Sequence, residues 1–225
     1  VVFADEHIIV VNKAPGIVVH PGAGNPSGTL VNGVLAQFPD VATVGDQLRP
    51  GIVHRLDAGT SGLMVVARSQ IAYDSLVDAL TRRDVSRIYS ALVWGHPEVS
   101  TGVIDAPIGR DQRDPTKMAV VIDGKFARTH YDVVQKFDLP QPCALVECQL
   151  ETGRTHQIRV HLDSIDHPVV GDSTYGGARS SLSSPRPMLH AAKLSFTHPF
   201  TAETVSFAVA IPEDMQLVIN RCGNA

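Results

Sequence analysis

The sequence predicts an α+β fold: a mixed, mostly antiparallel central sheet with flanking helices. Three observations lead there. Short runs rich in β-branched and apolar residues recur at 8–12, 63–67, 85–94, 118–122, 127–136, 143–151, 188–196 and 204–211, with turn-forming residues between them. Several of these runs succeed one another without an intervening helix, which favours antiparallel neighbours over crossover units. Helical patterns are scattered, and the chain carries no Rossmann glycine fingerprint, no P-loop and no internal repeat.

Taken in order, residues 8–12 form a β-branched run, Pro15-Gly16 a turn and residues 17–20 a second run, so two strands around a tight turn are expected. Residues 21–28, rich in glycine and proline, read as loop. Residues 29–37 place apolar side chains at 30, 31, 34 and 35, which is helix spacing. Residues 39–50 lead as a loop into the stretch 51–67, which ends in residues 63–67, an apolar run of the length of a buried strand. Ser69 is placed to cap a helix with Ile71, Leu76, Val77 and Leu80 as its apolar stripe. That helix ends near Arg82-Arg83, where positive charge suits the macrodipole. Residues 85–94 alternate enough to be a strand with Tyr89 in its middle. Thr155 is the expected cap of a third helix, with Ile158, Leu162 and Ile165 on its core face and Arg159 on the opposite face. Pro212-Glu213-Asp214 opens a fourth, proline first and acids next.

Bulk properties narrow the function classes. At 225 residues and 44% hydrophobic content, the chain suffices for one large domain or two small lobes. Its apolar runs are too short to cross a membrane as helices, and it shows no secretory signal pattern. Cys143, Cys148 and Cys222 include no C-x-x-C pair, which argues against a disulfide framework and a zinc ribbon; a reducing, cytoplasmic setting is expected. Ten histidines raise the question of a metal. His156 and His161 stand five apart, ~140° around a helix, and cannot share an ion as an i, i+4 pair would. His20, His96, His167 and His198 each precede proline and read as turn punctuation. No metal is therefore expected. The formal net charge of −4 runs against a simple nucleic-acid binder, although Lys13, Arg49, Arg55, Lys117, Arg154 and Arg159 could make a local basic surface.

The stretch from Gly51 to Ala67 is the centre of the chain. His54-Arg55-Leu56-Asp57 leads through Gly59, Thr60, Ser61 and Gly62 into the apolar run. One carboxylate thus sits on a small-residue turn directly ahead of a core strand, the kind of scaffolded loop that carries catalytic groups. Such a segment is also a good turn former, and Arg55 could simply pair with Asp57 at the surface.

These residues belong to a wider pattern. His54-Arg-Leu-Asp57 followed by Thr60-Ser-Gly-Leu63 resembles the signature of the RNA pseudouridine synthases, in particular the type acting on large-subunit ribosomal RNA. Asn12-Lys13-Ala-Pro-Gly-Ile-Val-Val-His20 resembles that family's first motif, with Ala14 where proline is more usual. Arg87-Ile-Tyr89 resembles its tyrosine motif, and Thr152-Gly-Arg154-Thr-His-Gln-Ile-Arg159-Val-His161 its third. His167-Pro-Val-Val-Gly-Asp172 and Leu189-His-Ala191 match later landmarks.

The resemblance implies one catalytic domain over residues 1–225, with Asp57 in a central cleft, and isomerisation of uridine to pseudouridine without a cofactor. It implies Asp57 as catalytic carboxylate, Arg159 as the cation beside it, and Tyr89 as a ring for the flipped base and a hydroxyl for a proton. Arg55, Arg154, His54 and Lys13 are the residues expected to meet RNA. A monomer is expected, and a small basic RNA-binding domain is expected ahead of Val1. Two other readings stay open. An N-glycosidase would use the same Asp to release free base, but would call for a second framed carboxylate. A non-catalytic RNA-binding module would bind without isomerising.

Overall fold

The computed structural model describes residues 1–22 and 24–223; Ala23, inside the expected loop at 21–28, lies outside the described residues. In chain order the elements are β1 (Phe3–Ala4), β2 (Ile8–Lys13), α1 (Leu30–Gln37), β3 (Ser61–Ala67), α2 (Gln70–Arg82), β4 (Ser86–Trp94), β5 (Thr101–Asp105), β6 (Ile108–Arg110), β7 (Met118–Val120), β8 (Arg128–Phe137), β9 (Cys143–Leu150), α3 (Gln157–Ser164), β10 (Leu189–Thr197), β11 (Thr204–Ala208) and α4 (Glu213–Ile219). Single 3-10 turns occupy Pro39–Thr43 and Ser180–Leu182. The chain divides into two compact units. One is Val1–Arg87 with Ala191–Val209; the other is Ile88–His190 with the segment from Ala210 onward.

In the first unit the strands lie in the order β1, β2, β3, β10, with β11 on β10. β2 runs antiparallel to β3 from Ile8 opposite Ala67 to Lys13 opposite Gly62. All seven residues of β3 are buried, which is why its sequence is a continuous apolar run rather than an alternating one. Val10, Val65, Leu76, Leu194 and Phe196 meet in one core. Ser69 caps α2 by accepting from Ala72 N at 3.3 Å. The face of α2 turned inward is Ala72, Leu76, Ala79 and Leu80. Ile71 and Val77, expected in the stripe, are 64% and 38% exposed, since at 100° per residue they stand ~140° and ~100° from the centre of the buried face.

Residues 17–20 are not a strand. Their carbonyls are used elsewhere: Val18 O and Val19 O accept from Leu30 N and Val31 N, at 2.9 and 3.0 Å. These are two of the N–H groups that the first turn of α1 leaves without a partner inside the helix. Thr29 completes the helix start in a reciprocal box with Asn32.

The second unit carries an antiparallel sheet in the order β4, β9, β8, β5, with β6 and β7 as a separate hairpin. Met215, Val218 and Ile219 of α4 pack with Leu92, Trp94, Cys143, Val170 and Met188. The Trp94 indole donates to Gly177 O at 2.7 Å. β1, β5 and β6 were not anticipated from sequence. α3 also departs from expectation: its cap is His156 in the left-handed region (φ 57°), not Thr155, and residues 157–162 are all buried, so Arg159 does not lie on an exposed face.

The turn that leads from Asp57 into β3 admits no side chain at Gly62. Its φ is +115°, and a Cβ there would stand 2.3 Å from Ala191 O. Gly62→Ala should destabilise by about 3 kcal/mol, combining left-handed strain of about 1–2 kcal/mol per residue with overpacking of similar size. Urea melts of both proteins check this, and an unchanged midpoint would contradict the close approach.

Candidate active site

In the first unit the Asp57 loop is tied at several points. Upstream, His54 Nε2 accepts from Val65 N at 3.1 Å, fixing the loop to the strand it precedes. As acceptor, Nε2 is unprotonated, so Nδ1 carries the hydrogen of a neutral ring. Burial, and then the positive charge of Arg87, pushes the His54 pKa down to about 3. Downstream, Thr60 N donates to Asp57 O at 3.1 Å, closing a turn around the carboxylate residue, and Thr60 and Ser61 are buried. Laterally, Ala58 O accepts from Gly16 N at 2.8 Å and from Lys13 Nζ at 3.2 Å. Asp57 is half-buried and Arg55 exposed.

Lys13 corrects an expectation. It was expected beside RNA phosphate, yet it is 2% exposed. Besides Ala58 O, its ammonium donates to Ala14 O at 3.0 Å and Ile17 O at 2.9 Å. A buried ammonium is stable only when hydrogen-bonded, so Lys13 acts as a clamp between the end of β2 and the Asp57 loop. His54, another of the four residues expected near RNA, likewise serves as an internal strut.

In the second unit Tyr89 sits in β4 opposite Cys148, buried at 6% exposure. The third motif is organised by Gln157. Its Oε1 accepts from Thr152 Oγ1 at 2.7 Å and Arg154 N at 2.9 Å, while its Nε2 donates to Arg128 O and Thr129 Oγ1, both at 3.0 Å. All four capacities of the amide are filled. Thr129 Oγ1 continues to His161 Nδ1 at 2.9 Å, and His161 Nε2 donates to Ala106 O at 2.9 Å. Burial holds the His161 pKa below the ordinary imidazole value, against the opposing pull of the Ala106 carbonyl and the Asp105 charge. Arg154 is exposed, its Nε bonded to Phe126 O at 3.0 Å.

Arg159 pairs within its own unit. Nε meets Asp172 Oδ2 at 2.5 Å and Nη2 meets Asp172 Oδ1 at 2.9 Å, with Asp172 fully buried. The guanidinium lies 5.0 Å over the Tyr175 ring, whose hydroxyl accepts from Met118 N at 3.1 Å and shares a bond with His156 Nδ1 at 2.8 Å. Sequence reasoning noted Asp172 as a landmark but gave it no role, and it passed over Tyr175, Gln157 and Thr129. Gln157 could have been found, because it stands inside the third motif between two candidate arginines. Among the described residues no group of three His, Cys, Asp or Glu is placed to hold a metal ion, and no helix is long and apolar enough to cross a membrane. Taken separately, the first unit offers a carboxylate on a fixed loop, and the second offers a buried tyrosine and a guanidinium held in one plane.

Comparison with known proteins adds an independent line. The profile of the RNA pseudouridylate synthases matches residues 7–164. An uncharacterized RNA pseudouridine synthase of Chloroflexus aurantiacus is 53% identical over 93% of this chain and 65% of its own length. A ribosomal large subunit pseudouridine synthase D of Xanthomonas campestris is 46% identical over 98% of this chain and 68% of its own. The chain thus spans about two thirds of these relatives. Among solved structures, human RNA pseudouridylate synthase domain containing 1 is 30% identical, with a TM-score of 0.74 over 93% of this chain and 82% of that one.

The His54 strut has a pH signature. An imidazole that titrates near 6.5 when unfolded and at about 3 when folded binds a proton in the unfolded chain first. The stability it contributes is present above pH 6.5 and is lost as pH falls from 6.5 toward 3. His54→Gln, whose amide oxygen can still accept from Val65 N, should flatten that part of the stability profile. Urea midpoints at about pH 7 and about pH 4.5 test this; equal pH slopes in the two proteins would rule out a neutral buried His54.

Proposed function

The chain belongs to the RNA pseudouridylate synthase family, a family of isomerases, and we propose that it converts uridines of large-subunit ribosomal RNA to pseudouridine with Asp57 as the catalytic carboxylate. The observation that carries this reading is the Asp57 loop. Three sets of bonds hold it, from His54, from Thr60 and from Lys13 with Gly16, and the residues that make them are those of the motifs that resemble the family. The ribosomal substrate rests on the names of several relatives, among them the Xanthomonas enzyme.

The reaction breaks the bond from N1 of uracil to C1′ of ribose and forms one from C5 to C1′. The C5 proton leaves and N1 gains a proton, so atoms and oxidation state balance without a redox partner. Asp57 can act as nucleophile at C1′ or assist removal of the C2′ proton; both routes need the ionised carboxylate. Tyr89 supplies a ring face for an extruded base and a hydroxyl to take a proton as general base. Arg159 supplies the cation of the reaction, a guanidinium whose plane is fixed by its two bonds to Asp172. Exposed Arg55 and Arg154 are the phosphate contacts.

Asp57→Asn keeps the shape of the side chain and loses the anionic oxygen. It should lower pseudouridine formation at least about 1000-fold while RNA affinity stays within about threefold. A variant that isomerises at near wild-type rate would refute the assignment. Release of free uracil by the wild type would redirect it to base cleavage.

Tyr89→Phe keeps the ring and loses the hydroxyl, so the rate should fall while affinity holds. Tyr89→Ala should also weaken binding, since base stacking on an aromatic is worth about 1–3 kcal/mol. Equal binding losses in both variants would show that ring and hydroxyl do not act separately. Pseudouridine mapping of large-subunit ribosomal RNA, with and without the protein, tests the substrate.

A further inference from the structure

We propose that Asp172, with Tyr175 beneath the guanidinium, is the positioning residue that sets the orientation of Arg159 for the reaction; this rests on the assignment of Arg159 to that reaction. An arginine can meet a carboxylate end-on, through its two terminal nitrogens, or side-on, through Nε and one terminal nitrogen. Arg159 does the second: Nε to Oδ2 at 2.5 Å and Nη2 to Oδ1 at 2.9 Å. A side-on pair fixes the plane of the fork and its rotation in that plane. It turns the edge that carries Nη1 away from Asp172, so that edge is presented in one direction.

Asp172 is itself immobilised. Its Oδ1 also accepts from Thr174 N at 3.0 Å and Tyr175 N at 3.3 Å, and its main chain is tied at Asp172 N to Val169 O and at Asp172 O to Gly177 N. The Tyr175 ring closes one face of the guanidinium at 5.0 Å and is held at its far end by Met118 and His156. A buried charge pair of this kind is weak as a source of net stability. Its geometric effect is large, because a planar fork locked by two bonds has little freedom left. A solvated surface arginine would carry the same charge without that direction.

The test is Asp172→Asn in the 225-residue protein. The amide oxygen can still accept from Thr174 N and Tyr175 N, while the amide nitrogen places a donor against a donor of Arg159. Single-turnover isomerisation should fall about 100-fold, the scale of a misplaced catalytic group, with RNA Kd within threefold. The Arg159 Nε–H resonance in a 15N spectrum should shift. Arg159→Lys should fall similarly, and the double variant no further than the larger single loss, because Asp172 acts only through Arg159. Asp214→Asn is the control. It breaks another bidentate pair, with Arg186 at 2.6 and 3.0 Å, and should cost stability while leaving the rate intact.

A wild-type rate for Asp172→Asn in an active protein overturns the role of Asp172 alone. Losses that multiply in the double variant overturn it as well, as does an equal rate loss in Asp214→Asn. Should Asp172→Asn lose its cooperative urea transition, Asp172→Glu carries the test: it keeps the charge, shifts it by one methylene, and should fold and still lose rate. A wild-type rate there overturns the proposal. A wild-type protein that forms no pseudouridine fails at the proposed function and takes this inference with it, an outcome distinct from the others.

Discussion

A charged amine taken out of water must be given oxygens, and the placement of the Lys13 ammonium decides the geometry of the first unit's loops. Its bonds reach Ala14 O, Ile17 O and Ala58 O. Two of those carbonyls belong to the turn after β2, and the third belongs to the loop that carries Asp57. With Gly16 N on the same Ala58 O, the two loops become one object. Lys13 stands opposite Gly62 in the β2–β3 register, so the clamp closes where the strands end. A one-residue slip in that register would turn the ammonium to the other face of the sheet and leave the carbonyls unpaired.

The second unit meets the same constraint with neutral groups. Gln157, Thr129 and His161 are all buried and hand hydrogen bonds along a single direction, ending on Ala106 O. A chain of this kind is worth having inside a protein only when every member is satisfied. The depressed His161 pKa fits it, since a protonated ring would have to give up the hydrogen bond that Nδ1 accepts. This network explains why α3 shows no polar face through residue 162. Gln157 and His161 point inward because Thr129 of β8 partners both, Arg159 because Asp172 does, and the turn holding Arg154 is fixed as a by-product.

Much of the fold was legible. β2, β3, β4, β8, β9, β10 and β11 announce themselves by run length and β-branching, α1 by its apolar spacing, and Ser69 marks its helix by the hydroxyl that caps it. What the sequence hid depends on distant partners. β1 has two residues and takes its identity from Val10 and Ile9. β5 contains Gly102, a poor strand residue, which is there because the Tyr131 ring occupies the space a Cβ would need. Residues 17–20 look like a strand locally and lose that role to the N-terminus of α1. At the candidate site, the Asp57 turn was readable because all its residues lie within one short stretch. The Arg159–Asp172 pair was not, because helix periodicity puts Arg159 opposite Ile158 and says nothing of a carboxylate 13 residues on.

The buried cations also change how the charge of the chain should be weighed. From sequence, six cations near the motifs could offset a net charge of −4 and grip phosphate. The structure removes Lys13 into the clamp and Arg159 into its pair with Asp172, and it shares Arg49 with Asp46 and Lys117 with Asp114. Of the six, only Arg55 and Arg154 are exposed without a carboxylate partner among the described residues. Each phosphate contact on a single strand contributes a salt slope of about −0.7, so two would give about −1.4, a shallow dependence. Cations that look like an electrostatic surface in the sequence are spent on fixing loops. Among these six, the charge left to meet a phosphate is therefore that of Arg55 and Arg154.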